Sequence, residues 1–96
     1  MTLSLPQIAC IVRSMNEKKD GSPRQFPAIE LPVVVSVMGK IRAFADESGQ
    51  IKPADYQIEF PADERKFVKE LINQQDWSPG DAEQVLALIK MLEQEG

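Results

Sequence analysis

The side chains on which most enzyme chemistry depends are scarce in this sequence. Histidine is missing altogether. Imidazole is the usual acid–base group near neutral pH and the commonest metal ligand, so Ser-His-Asp triads, Cys-His pairs and most zinc sites go with it. The one cysteine, Cys10, can form no internal disulfide and has no recognisable partner that would make it a nucleophile. Asp46–Glu47 and Asp63–Glu64 are adjacent carboxylate pairs. Neighbours on a helix point about 100° apart, so neither pair converges on one substrate, and both read as solvated caps at helix ends. Tyr56 adds no partner, and the five glycines stand singly, with no phosphate-cradling loop. The expectation is a protein that is not an enzyme, with no catalytic residue, cofactor or metal site.

One loop has ligand-like spacing. FADESGQIKPADY, 44–56, resembles the calcium-binding loop of the EF-hand family over about a dozen residues. Gly49 takes the glycine place, Ile51 the apolar place after it, Asp55 the closing acidic place, and Asp46 and Ser48 two ligand places. The opening ligand place holds Phe44, and the closing residue is Asp rather than a bidentate Glu. The resemblance implies a degenerate EF-hand-like helix–loop–helix domain. A Gly-x-Ile turn between helices also arises simply because the turn needs a left-handed residue and then an apolar anchor.

These residues must be held by helices, because prolines and apolar spacing divide the chain that way. Ser4 and Gln7 have the capping-box spacing, with Pro6 in the first turn. Leu5, Ile8, Ile11, Val12 and Met15 form an inward stripe, with Cys10, Arg13 and Glu17 opposite, which predicts a helix over 5–19. KKDGSPRQFPAI, 18–29, is a Pro- and Gly-containing linker in which Phe26 pins the crossing to the core. The valines at 33–37 suit a strand, but the apolar pattern runs about fifteen residues, too long for one. Length therefore predicts a helix over 31–47, with Val34, Val37, Met38, Ile41, Phe44 and Ala45 inward and Ser36, Lys40, Ala43 and Glu47 outward. Ser48-Gly49 ends it, and 51–60 is either a short helical turn or an extended piece. Pro61 opens a third helix over 61–75, with Asp63 and Glu64 in its first turn and Phe67, Val68, Leu71 and Ile72 inward. Ser78, Pro79 and Asp81 cap a fourth over 79–95, stapled by Trp77 and Ala82, with Ala82, Val85, Leu86, Ile89 and Leu92 as its stripe. The expected fold is all-α, a single domain over 1–96 with four helices, the last two an αα-hairpin.

Composition sets the class of partner. The chain is 43% hydrophobic and 27% charged, which excludes wholesale disorder, and its formal net charge is −4. That charge is concentrated at one end, because residues 70–96 carry six acids and one base. A hairpin reading DNA would need a basic second helix, and this one is acidic. The uncharged run 1–12 is too short to span a bilayer and lacks a preceding basic residue, and 31–39 is shorter still, so a soluble cytoplasmic protein is expected. Exclusion and charge together point to a protein–protein interaction module, a small regulator or inhibitor of the acidic helical type by which bacteria and phages block host factors. Its partner would be a basic protein or a nucleic-acid enzyme. On the fourth helix Glu83, Ala87, Met91 and Glu95 form the expected contact strip, able also to serve a homodimer. The alternative of nucleic-acid binding falls to Lys18, Lys19, Arg24, Lys40 and Arg42. No membrane partner is expected.

Overall fold

The fold, seen in a computed structural model, is described for residues 1–94. Along the chain lie β1 (Thr2–Ser4), α1 (Leu5–Asn16), a 3-10 turn (Ala28–Glu30) running into α2 (Leu31–Arg42), β2 (Asp55–Gln57) and α3 (Ala62–Asn73). A second 3-10 turn (Pro79–Asp81) then leads into α4 (Ala82–Glu93). The four expected helices are present. The purely helical expectation needs one correction, a two-stranded antiparallel sheet in which Thr2, Leu3 and Ser4 face Gln57, Tyr56 and Asp55. Residues 51–60 thus contain an extended piece. Its pairing drives Leu3 wholly into the core, with Ile58 and Phe60 following it in.

Each helix is shorter than its expected span. α2 stops at Arg42 because the chain tightens there, Phe44 N–H donating to Ile41 O (3.1 Å) and Ala45 N–H to Arg42 O (3.0 Å). Asp46 then organises the turn: its Oδ1 accepts from Ser48 N (2.9 Å), Ser48 Oγ (2.6 Å) and Gln50 N (3.1 Å), while Gly49 takes a φ of 83°. The linker is pinned as expected, with the Phe26 ring 5.7 Å from that of Phe67. Gln75, buried after α3, donates through its amide to Glu17 O.

The core lies between α1, α3 and α4, with α2 against one side. The α1 arc is centred on Ile11 and includes Ile8, Ser14 and Met15. Cys10, expected on the opposite face, is buried within it. Ser14 is accommodated by donating its hydroxyl to Cys10 O (2.9 Å). On α4 the inward residues are Val85, Leu88 and Leu92, whereas Leu86, expected inside, is 66% exposed and Ala82 is exposed. The staple is replaced by Trp77 turning back on α3, its indole N–H donating to Ile72 O (3.1 Å) beneath the Arg13 guanidinium, 4.8 Å from the ring centroid. Ser78 starts the turn as expected, but its hydroxyl donates to the Asp81 carboxylate (2.9 Å) rather than accepting a helix N–H.

Candidate functional site

α2 is the helix whose sequence and surroundings disagree. Its twelve residues, LPVVVSVMGKIR, include only Ser36, Lys40 and Arg42 as polar side chains. A helix apolar on every side is normally covered on every side. Here Val37 and Ile41 are buried and Val33, Val34 and Met38 half-buried, but the opposite face is open. On it stand Val35, 68% exposed, and Leu31, 45% exposed, with Ile29, 87% exposed, in the turn that precedes them. Pro32, Gly39 and Ala43 are exposed between and beyond them. Together these side chains offer apolar surface of the order of 400 Å², the size at which the largest patch on a monomer tends to be a working one.

Two of the three polar residues of α2, Ser36 and Lys40, are spent elsewhere, which corrects their placement on a solvated face. Glu64, in the first turn of α3, is buried, and its carboxylate accepts from Lys40 Nζ at 2.7 Å and Ser36 Oγ at 3.1 Å. The Lys40 ammonium also lies 5.5 Å from the centroid of the Phe60 ring. Glu64 is therefore no solvated cap. This cluster ties the flank of α2 to α3 and fixes which way its remaining side chains face. With Ser36 and Lys40 turned onto α3, the face left for solvent is the one carrying Leu31 and Val35.

Gly39 sits at the crest of that face, about 160° around the helix from both Val37 and Ile41. Glycine in a helix interior costs about 0.5–1 kcal/mol relative to alanine. A Cβ built at Gly39 would meet nothing within 4 Å, so no neighbour inside this chain needs the missing side chain.

The residues singled out from the sequence are distributed as follows. Glu83 and Ala87 are exposed on α4, Met91 is half-buried against the core, and Glu95 lies outside the described residues. Leu86 joins the exposed part of that strip. Among the basic residues, Lys40 is held by Glu64, Lys19 pairs with Asp76 (3.7 Å), and Arg24 donates to Glu17 O (3.2 Å) and Gln74 (3.1 Å). Lys18 and Arg42 are exposed. In the EF-hand-like loop, Asp46 Oδ1 is engaged by the loop's own donors, which hold its carboxyl below the usual range, chiefly through the Ser48 hydroxyl. Asp55 stands in β2 opposite Ser4. Among the described residues no group of three or more His, Cys, Asp or Glu side chains is placed to share a metal ion.

Cys10 lines a cleft of about 310 Å³ with Pro6, Ala9, Arg13, Trp77 and Asp81. Burial, and then the Asp81 charge, push its thiol above the ordinary value against the opposing pull of Arg13. That is the direction away from a reactive thiolate. The exposed apolar face of α2 lacked a sequence signal because its valines match both an inward and an outward arc. Gly39, at odds with a helix interior, was the one residue that could have marked it. Among the described residues no helix is long and apolar enough to cross a membrane. Searches against protein-family models, curated proteins and solved structures find no match for this chain.

Proposed function

We propose that this chain is a non-enzymatic protein–protein interaction module whose docking surface is the outer face of α2. The observation that carries the reading is the exposure of Ile29, Leu31 and Val35 on and just before a helix whose Ser36 and Lys40 side chains are committed to α3. Burying those three in a contact recovers about 25 cal/mol for each Å² of apolar area, a driving force that solvent does not supply. A working place in the reducing cytoplasm suits a chain whose one cysteine is a buried free thiol.

The test replaces Val35 with the photo-crosslinker p-benzoylphenylalanine in the native cell, with the same replacement at exposed Lys66 as control. The expected result is a discrete adduct from position 35 and none from position 66. Equal adducts from both positions, or none from position 35, would overturn the reading.

A second surface fits the regulator or inhibitor role. Leu86 projects from α4 beside Glu83 and Ala87, in the acid-rich end of the chain. An apolar anchor with the Glu83 carboxylate beside it, on a net-acidic end of the chain, suits a basic partner, steered by charge and held by the leucine. Glu83→Lys with Leu86→Ser should then weaken capture of that partner and flatten its salt dependence.

A further inference from the structure

We propose that the free edge of β2 binds an extended basic segment of another protein, which adds as a third strand antiparallel to β2 and sets an apolar side chain in the hollow between that edge and the end of α2. This site is carried by the sheet and is independent of the reading of the outer face of α2.

The first argument is the backbone. Ile58 N–H donates to Met1 O at 2.9 Å and the Met1 nitrogen donates to Ile58 O at 2.9 Å, so the antiparallel ladder runs on past β2 to Ile58. In such a ladder every second residue turns its N–H and C=O to its partner strand, and the residues between turn theirs away. With Tyr56 and Ile58 paired to Leu3 and Met1, the backbone groups of Asp55, Gln57 and Glu59 point out from the other edge. None of them has a hydrogen-bond partner among the described residues. Such a row is a template for a further strand. A hollow of about 320 Å³ lies along it, with Gln57, Ile58 and Glu59 on one side and Lys40, Ala43 and Phe44 on the other. The Phe44 ring, 4.7 Å from that of Tyr56, keeps the end of α2 beside the strand. A strand added about 4.8 Å from β2 places its residue opposite Ile58 on the core side, over this hollow.

The second argument is charge, and it names the occupant. Asp55, Gln57 and Glu59 are all exposed, on the outer face of the sheet, so an added strand meets a carboxylate at each end. The Met1 nitrogen takes one Glu59 oxygen at 3.0 Å, but that side chain is 86% exposed and its other oxygen is open to a further donor. Lys40, the cation in the wall of the hollow, is held by Glu64 at 2.7 Å. A second copy is the wrong occupant. Two β2 edges meeting about a two-fold axis at Gln57 would set each Asp55 against the other copy's Glu59, two like-charge pairs directly across the strands. A segment that reads basic, apolar, polar, apolar, basic meets opposite charge at both ends and an apolar wall between them.

The experiment is an amide NMR titration of the full chain with the peptide Lys-Ile-Thr-Val-Lys, acetylated and amidated at its ends, up to about 1 mM, where weak binding is read. Amide shifts should change at Gln57 and Glu59 and at Phe44 beside the hollow. Methylating the amide nitrogen of the peptide's threonine, which donates to Gln57 O in the added strand, should weaken binding at least about tenfold. Methylating that of its isoleucine, which points away from β2, should change binding less than about threefold. Replacing both peptide lysines with glutamate should weaken binding at least about tenfold, and in the variant carrying Asp55→Lys and Glu59→Lys that preference should reverse. No shift at Gln57 or Glu59 up to about 1 mM, equal losses from the two methylations, or equal binding of the lysine and glutamate peptides would overturn the proposal. Shifts at Gln57 and Glu59 on concentrating the protein alone would put a second copy on this edge and would overturn it as well. Because the methyl groups are placed on the peptide, a protein variant that fails to fold leaves the decision intact.

Discussion

Substituting Lys40 should cost far more than its place on an apparently polar helix side indicates. The carboxylate of Glu64, whose side chain is 8% exposed, has two donors, the Lys40 ammonium at 2.7 Å and the Ser36 hydroxyl at 3.1 Å. Lys40→Met removes the charge and leaves a carboxylate in the interior with one neutral hydrogen bond. Breaking a fully buried pair in this way costs about 3–5 kcal/mol. The Lys40 side chain is 34% exposed, so water can partly replace it, and about 2–3 kcal/mol is the reasoned figure. The reverse change is milder. Glu64→Gln keeps an acceptor for Ser36 and frees Lys40 to turn to solvent, a loss of about 1 kcal/mol. Lys40→Met combined with Glu64→Leu removes both charges and should recover most of the deficit, because apolar replacements of a buried pair are often neutral. Urea melts of the four proteins decide the matter through their midpoints at constant slope. A Lys40→Met variant within about 0.5 kcal/mol of wild type, or a double variant no more stable than Lys40→Met alone, would refute the idea that Glu64 depends on Lys40.

Four further outcomes follow from the same geometry. Val37→Ala should destabilise the dilute monomer by about 2 kcal/mol and Ile41→Ala by about 2–4 kcal/mol, while Val35→Ser leaves its melt within about 0.5 kcal/mol. Ser78→Ala should cost no more than about 0.5 kcal/mol in a denaturant melt, because its hydroxyl serves an exposed Asp81 carboxylate rather than a helix N–H. Asp46 should titrate by NMR below the ordinary aspartate range, since Ser48 and Gln50 donate to its ionised form. With its folded pKa depressed, its contribution is present at neutral pH and is lost as pH falls through that value, and Ser48→Ala should return the midpoint toward normal. Cys10 should resist alkylation in the folded protein. Because burial raises its pKa, the folded state keeps the proton where the unfolded chain has lost it, so stability should fall as pH rises through the ordinary thiol range, and Cys10→Ala should remove that slope.

The helices were legible because their signals are local. Pro6, Pro32 and Pro79 each lie within the first turns that they mark, and the long 3.6-residue pattern from Val33 to Phe44 outweighed the β-branched character of its valines. The sheet was not legible, since three-residue strands show no periodicity and β1 pairs with residues more than fifty positions away. Partners distant in sequence also account for Ser36 and Lys40, whose acceptor arrives on another helix. Leu86 and Leu88 flank the inward-facing Val85 arc and are equally apolar, so periodicity alone does not choose between them. The α4 strip was legible as a polar face, but Met91 turned out half-buried. The open face of α2 emerges only once Glu64 fixes how that helix is rotated.

The central claim, that the outer face of α2 is a docking surface, is tested most directly by side-chain footprinting. Hydroxyl radicals label exposed aliphatic residues, and labelling in intact native cells can be compared with labelling of the purified protein at high dilution. Ile29, Leu31 and Val35 should be labelled freely in the dilute protein and protected in the cell, while buried Leu88 is unlabelled in both. Equal labelling of Ile29, Leu31 and Val35 in the two states would contradict the account, and protection confined to Leu86 would move the docking surface to α4.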